Sequence, residues 1–412
     1  MFYVNDTYYS HQDLDEQFKV FDQLDYLKEC DRHRIAVCHE DAFILLALYF
    51  YIKKKGGSVA PIHAKHPLGA AIRTAEHTKS HYLIHHDIES PIQLKKEGDD
   101  HSGSLIQLSS GTTGEPKCIE RSWASIDREL ENYNVKLSIN MVTTSIVACP
   151  VNHSYGLISG VLAAMKRGSV PVIITNPNPK YIVKKLKEYP VHILYAAPTL
   201  LYTLSRLLPI EERFYAVMTS GTLLPDAWFR LLQKKSQRVL QQYGCSEAGC
   251  VSVNANVSEA NAIGKVLSHL DVTSGQGKEN PEEIVIKIDK QTIQTKDLGY
   301  FDEQGTLHFL ERIDEMINVA GLNVYPHEVE NIIRSYKGIQ DTVVFKKRDD
   351  YAGERVCALY SSDEEIDPIN LRQWCQHNLA PYQVPVEWVR VKKVDRMANG
   401  KVSRKKLGGV YA

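Results

Sequence analysis

The stretch LIQLSSGTTGEPK, Leu105 to Lys117, changes character halfway along. Its first half is a short apolar run suited to a buried strand. In its second half the hydroxyls of Ser109, Ser110, Thr112 and Thr113 surround Gly111 and Gly114, and Pro116 and Lys117 close the run. Glycines let the backbone turn so that successive N–H groups point into one concavity, and such a nest binds anions, phosphate oxygens among them. Lys117 adds a positive charge at the rim. Runs of Ser, Thr and Gly are commonly flexible linkers, but the strand signal before this one and the lysine after it favour phosphate binding. A Walker loop needs Gly-Lys followed by Ser or Thr. Here Glu115 and Pro116 precede the lysine, and Gly264-Lys265 and Gly400-Lys401 are both followed by valine. Phosphate is expected, without a Walker lysine.

Outward from this stretch, short apolar runs alternate with longer amphipathic ones from about Ile35 to Thr175, as in α/β layers. RIAVCH, HYLIHH, SLIQLS, TTSIVACP and SVPVIIT read as strands; DAFILLALYFYIKKKG and the segment ending at KRG read as helices. VHILYAA, FYAVMTSG and QRVLQQYG continue the strands, most of which end in small or polar residues. Open α/β sheets collect ligands at such carboxyl ends. From about Pro281 the texture is β-rich, and Ile313 to Ala412 mixes two helices (PHEVENIIRSYK, PINLRQWCQHNL) with strands (DTVVFKKR, RVCALYSS). The expected fold class is α/β. Layered α/β sheets and a β-rich subdomain would form a large N-terminal domain, followed by a small α+β C-terminal domain.

At 412 residues the chain is too long for one ordinary core. A formal net charge of -1 offers no broad attraction to nucleic acid or membrane, so neither is an expected partner. The longest apolar run, Ala42 to Ile52, is too short to span a bilayer and reads as a buried helix. MFYVNDTYYS lacks the basic and apolar regions of a secretory signal. The eight cysteines show no paired metal spacing, which suits reduced thiols in a cytoplasmic enzyme.

The opening stretch resembles the phosphate loop of the adenylate-forming superfamily, which comprises acyl- and aryl-CoA synthetases, luciferases and the adenylation domains of peptide synthetases. Further stretches resemble that family in its own order. In CPVNHSYG, with Pro150 and Gly156, the resemblance makes His153 a wall of the acyl pocket. MTSGTLLP, with Ser220, Gly221 and Thr222, resembles the adenine-side loop, one usual Gly being Ser220 here. In QQYGCSEAG the resemblance gives Tyr243 the adenine face, beside Gly244, Ser246 the α-phosphate and Glu247 a Mg²⁺ ion, for which a carboxylate is a hard oxygen ligand. In TKDLGYF, Asp297 would accept from both ribose hydroxyls; Lys296 stands where relatives have Gly and is expected to face solvent. In ERIDEMINVAGLNVYPHEVE, Arg312 would contact ribose or phosphate and Asp314 would be a hinge. Gly321 would let a thiol arm pass, and Glu311 replaces the usual Gly before the arginine. In RMANGKVSRKKL, Lys401 matches the catalytic lysine, a cation between substrate carboxylate and α-phosphate. Arg404, Lys405 and Lys406 read as a solubilising tail. The resemblance divides the chain into residues 1–312, binding ATP and acid, and 313–412, carrying Lys401.

The implied reaction has two halves. A carboxylate attacks the α-phosphate of ATP with Mg²⁺, giving acyl-AMP and pyrophosphate. The small domain then rotates about Asp314 and admits a phosphopantetheine thiol. Amino-acid-activating relatives place an Asp near the start of the pocket stretch, where this chain has Asn152-His153-Ser154. Salicylate and 2,3-dihydroxybenzoate activators have Asn directly after the His, where Ser154 stands. An aryl carboxylic acid without an ortho hydroxyl is therefore expected. Ser154, Ser159 or Thr222 could meet ring hydroxyls, and Ala197, Gly221, Gly244 and Cys245 would border a flat slot. Over its whole length the chain resembles the stand-alone aryl acid–AMP ligases of petrobactin-type siderophore assembly. That implies 3,4-dihydroxybenzoate as the acid and a separate phosphopantetheinylated aryl carrier protein as the acceptor. The chain stops eleven residues after Lys401 without a carrier domain. The alternatives are an aryl-CoA ligase, although no basic patch for the CoA nucleotide is legible, and a non-catalytic nucleotide-binding protein on the same fold.

Overall fold

A computed structural model describes residues 1–95, 103–109, 117–289, 291–349, 351–396 and 402–410. Within them the strands form three sheets. The six-stranded sheet runs in the order Asp87–Gln93, Tyr82–His85, Arg34–Cys38, Ser58–Pro61, Ser104–Ser109, Lys117–Ser122. Its inner strands are parallel and each edge is an antiparallel hairpin. Ser109 pairs with Lys117, so the stretch expected to bind phosphate lies between the two strands of an edge hairpin. The expected helix Ala42–Lys55 packs here; Asp41 caps its first N–H groups and Gly56, at φ 79°, ends it. Most of its side chains are buried, as its unbroken apolar run requires.

The largest sheet has fourteen strands among the described residues. Its parallel part contains Phe2–Val4, Val172–Ile173, Thr144–Val147, His192–Tyr195, Phe214–Thr219 and Ser236–Cys245. Alternate side chains feed two cores: Ile146, Leu194 and Val217 on one face, Val147, Ile193 and Met218 on the other. Burial on both faces is why these strands read as continuous apolar runs. At Cys245 the chain turns back into Gly249–Asn254, and from there the sheet is antiparallel except for Gly275–Gln276, which pairs in parallel with Gln291–Phe301. The expected strand SVPVIIT is paired only over Val172–Ile173. The expected helix ending at KRG starts as a π-helical stretch, Tyr155–Leu162, before Ala163–Lys166. Glycine is needed there, since a Cβ on Gly156 would lie 2.3 Å from the Pro150 carbonyl oxygen.

The large sheet's last strand in sequence, Leu307–Arg312, is followed by the five-stranded third sheet, which opens with Ile317–Val319. Helices Pro326–Ser335 and Pro368–Asn378 cover one face of it around Ile333, Val344 and Leu371. On the other face Val343, Phe345, Cys357, Leu359 and Val394 receive Val402 and Leu407 from the chain's last stretch. No described helix is long and apolar enough to cross a membrane.

Candidate active site

The carboxyl ends of three adjacent parallel strands bring several of the predicted residues to one end of the large sheet, where it changes from parallel to antiparallel. Ala197 caps the helix after His192–Tyr195. Ser220, Gly221 and Thr222 follow Phe214–Thr219, with Gly221 at φ 89°. Tyr243 to Cys245 end the third strand, and Ser246 and Glu247 lie in its turn. Open sheets bind ligands at such a switch point.

Tyr243, Asp297 and Arg312, separated in sequence, form one cluster. The Tyr243 hydroxyl donates to Asp297 Oδ2 at 2.6 Å, and Arg312 Nη1 donates to Oδ1 at 3.2 Å. Asp297 is buried and pairs directly with Arg312 in the strand ladder. Burial, then the Asp297 charge, pushes the Tyr243 phenol well up, so it stays a neutral donor. Arg312 also donates through Nε and Nη2 to both oxygens of Asp314, at 2.9 and 3.2 Å. Burial would raise the Asp314 carboxyl, but the arginine holds it below the usual range. The expected hinge is thus clasped to the expected ribose contact. Lys296 is exposed, as expected, and has φ 59°.

The turn carrying Ser246 and Glu247 rests on an ion pair that sequence reasoning missed. Arg121 Nη2 lies 2.6 Å from Glu129 Oε2, both nearly fully buried, and Glu129 Oε1 accepts from the Cys250 N–H at 2.8 Å. Arg121 lies on the strand that Lys117 begins, so the pair ties the phosphate hairpin to this turn. Nothing in KCIERS marks it: Glu129 lies eight residues on, in the helix Trp123–Leu137, and the pair is buried where that helix packs on Gly249–Asn254. Gly249, at φ 76°, is required, since its Cβ would fall 2.2 Å from the Arg121 guanidinium. Gly244 is required too, its Cβ falling 2.2 Å from the Gly249 carbonyl oxygen. The half-buried Glu247 carboxylate has no hydrogen-bond or ion-pair partner among the described residues. Burial pushes the Cys245 thiol up to about 12, leaving it an uncharged wall.

The acid-pocket residues divide. His153 is exposed at the start of the π-helical segment. The Ser154 hydroxyl donates to Gln107, on the strand that leads into the phosphate hairpin. Ser159 is buried and accepts from Gln242 Nε2 at 3.0 Å, while Tyr133 donates to the same amide's oxygen at 2.8 Å. Thr222 is half-buried. Ser110, Gly111, Thr112, Thr113, Gly114 and Lys401 lie outside the described residues, as does the side chain of Ser109; Lys117 begins its strand, exposed.

The basic run after Lys401 corrects the sequence reading. Arg404 is no solubilising residue. Its side chain is 13% exposed and donates to Glu315 at 2.5 Å, to Glu330 at 2.9 Å and to the Val344 carbonyl at 2.9 Å. Beside it His327 faces Glu330 at 3.3 Å and Glu311 at 3.6 Å, and its N–H donates to Glu311. Glu311, where relatives have Gly, is thus fully buried and joined to the third sheet's first helix. On the near side of Lys401, Arg396 grips Asp341 with bonds of 2.9 and 3.0 Å. Gly321 adopts φ 88° after Ala320 at 49°, and among the described residues, its chain neighbours aside, no atom stands within 4 Å of where its Cβ would be.

Residues 58–283 match the AMP-binding enzyme family, and residues 328–401 match the AMP-binding enzyme C-terminal domain. The chain belongs to this family and is an adenylate-forming ligase. It is 38% identical to the 3,4-dihydroxybenzoate–[aryl-carrier protein] ligase of Bacillus anthracis, over 99% of this chain and 98% of that protein. Two solved structures share its fold at 18% identity and a TM-score of 0.84. ATP-bound MatB from Rhodopseudomonas palustris matches over 97% of this chain and 92% of its own. The o-succinylbenzoate CoA synthetase of Bacillus subtilis, in complex with its acyl-adenylate intermediate, matches over 98% and 94%.

Proposed function

We propose that the protein activates an aryl carboxylic acid, 3,4-dihydroxybenzoate, with ATP, and passes the aryl group to the phosphopantetheine thiol of a separate aryl carrier protein. The reading rests on the convergence of Tyr243, Asp297 and Arg312 at the sheet's reversal, and near-full-length similarity to a ligase of that substrate supports it. A cytoplasmic site of siderophore assembly suits such an enzyme.

A carboxylate offers about four lone-pair sites. Tyr243 and Arg312 each donate to one oxygen of Asp297 and fix its plane, so the carboxylate would be oriented to accept from ribose hydroxyls. The Tyr243 ring, held by the same bond, would present a face to adenine. Ser246 would donate to the α-phosphate and the phosphate hairpin would hold the pyrophosphate. The open Glu247 carboxylate fits a hard divalent cation and would hold Mg²⁺, which when bound neutralises phosphate charge. The acid's carboxylate oxygen attacks the α-phosphorus, the bond to pyrophosphate breaks, and Lys401 stabilises the charge gathering between them. Catalysis is then chiefly positioning and electrostatics. Ala197, Gly221, Gly244 and Cys245 would border the ring; Thr222 would meet a ring hydroxyl directly, with Ser154 and Ser159 acting beside Gln107 and Gln242. We assign residues 1–312 and 313–412 to two domains that rotate about Asp314, bringing the open backbone at Gly321 beside the incoming thiol.

ATP–pyrophosphate exchange with a panel of benzoates tests this. Exchange should be strongest with 3,4-dihydroxybenzoate, and Lys401→Ala should nearly abolish it while sparing thioester formation from supplied aryl-AMP. No exchange with any acid overturns the activity, and exchange with salicylate alone overturns the ring assignment. Thioester formed on coenzyme A in preference to a carrier protein overturns the acceptor.

A further inference from the structure

The six-stranded sheet carries a second group of chemistry-bearing side chains, apart from every residue assigned to adenylation. Cys38 ends the strand Arg34–Cys38, and His85 ends Tyr82–His85 as its partner in the parallel ladder. His86 follows. Cys Sγ and one ring nitrogen of each histidine all lie within 4.8 Å of one another.

Neighbouring residues of an extended strand point to opposite faces, so His85 and His86 would ordinarily diverge. They converge because His86 adopts φ 66°, a left-handed conformation unfavourable for a residue with a Cβ. Its N–H is tied to the Cys38 carbonyl at 2.9 Å. The two imidazoles meet edge to face, with centroids 4.5 Å apart. His85 Nε2 stands 3.1 Å from the His66 carbonyl oxygen. A carbonyl can only accept, so that nitrogen carries the proton and Nδ1 keeps its lone pair. Metal-bound histidines are held this way, the second ring nitrogen donating to a carbonyl. Cys38 is buried, His85 half-buried and His86 exposed, which leaves a route from solvent. The rings of His39 and His86 are 6.4 Å apart at the rim.

We propose that Cys38, His85 and His86 bind a borderline-soft divalent cation, Zn²⁺, with a fourth position open on the solvent side. One thiolate and two imidazoles suit zinc in preference to Mg²⁺ or Ca²⁺, which take oxygen ligands. Zinc–ligand distances of about 2.0–2.3 Å require the three atoms to close by roughly 1 Å, within reach of side-chain rotation. On binding, the Cys38 thiol, which now donates to the His63 carbonyl at 3.4 Å, releases its proton to solvent and its sulfur lone pair goes to the metal. The ion would clamp two strands of the sheet at their carboxyl ends.

Titrating metal-stripped, nucleotide-free protein with Co²⁺ tests the site. One equivalent should produce four-coordinate d–d bands and a thiolate-to-cobalt charge-transfer band, and Zn²⁺ should displace it. Cys38→Ser should remove the charge-transfer band. The exposed His86→Ala, whose fold circular dichroism can verify, should weaken binding about ten-fold or more. Absence of stoichiometric binding by the parent protein overturns the proposal. So does binding of unchanged affinity and spectrum in His86→Ala and His85→Ala.

Discussion

Lys296 is held in a conformation that suits glycine. Its N–H donates to Glu283 at 2.7 Å and its carbonyl accepts from Ile313 at 2.8 Å, so both sides of its peptide fix φ at 59°. A side chain there costs about 1–2 kcal/mol, while glycine's extra unfolded-state entropy returns roughly 0.5–1 kcal/mol of that. Lys296→Gly should therefore stabilise the protein by about 0.5–1 kcal/mol, read as a higher urea midpoint at unchanged slope; a lower midpoint would show that the side chain contributes a contact. The sequence displayed the exchange of Gly for Lys and its solvent-facing position. It could not display the strain, which belongs to an irregularity in strand pairing where Thr295 to Asp297 stand opposite the single residue between Glu283 and Val285.

Helix Pro326–Ser335 brings His327 and Glu330 between Glu311 and Arg404, and this gives the element a pH dependence. Burial alone would depress His327; Glu311, then the hydrogen bond and charge of Glu330, overcome it and raise its pKa. Burial would raise Glu330, but Arg404, then His327, hold it far below the usual carboxylate range. A raised histidine contributes stability fully present below about pH 6.5, its unfolded value, and lost as pH climbs through the folded value. A depressed glutamate contributes stability present above about pH 4.3 and lost as pH falls. The advantage of the parent over His327→Gln in denaturant midpoint should thus be largest near pH 5–6 and shrink on the alkaline side; a pH-independent difference would refute the histidine's charge. Arg404→Met strands buried carboxylates and should cost about 3–5 kcal/mol, measured by chemical unfolding. This network was illegible in sequence because Arg404 meets acids 74 and 89 positions upstream. A seven-residue basic helix offers no periodicity from which to infer them.

Across the molecule, the third sheet carries apolar clusters on both its faces. Residues 313–412 expressed alone should fold and melt cooperatively, as independent cores do, which circular dichroism and calorimetry can check. Lacking Glu311, that fragment should show a lower His327 pKa by NMR than the whole chain. Among the described residues its polar contacts with the rest include the Asp226 N–H to Asn331 at 3.3 Å, Arg334 over the Trp228 ring at 5.8 Å and His327 with Glu311 at 3.6 Å. The α/β alternation and the β-rich middle were both readable, since each is a local pattern. The joining of fourteen strands was not. Nor was the seat of Phe2–Val4 beside Val172–Ile173, which is set by register with a segment about 170 residues away.

Arg396 and Arg404 are two fixed posts, and Lys401 belongs to the span between them. Adding or removing one residue in that span leaves both posts standing, yet it shifts the reach of the chain by about 3.3–3.6 Å. On the role proposed for Lys401, a variant collection screened for heat resistance alone would let the length of this span drift while its turnover collapsed. Selection for durability and selection for chemistry read different letters of the same dozen residues.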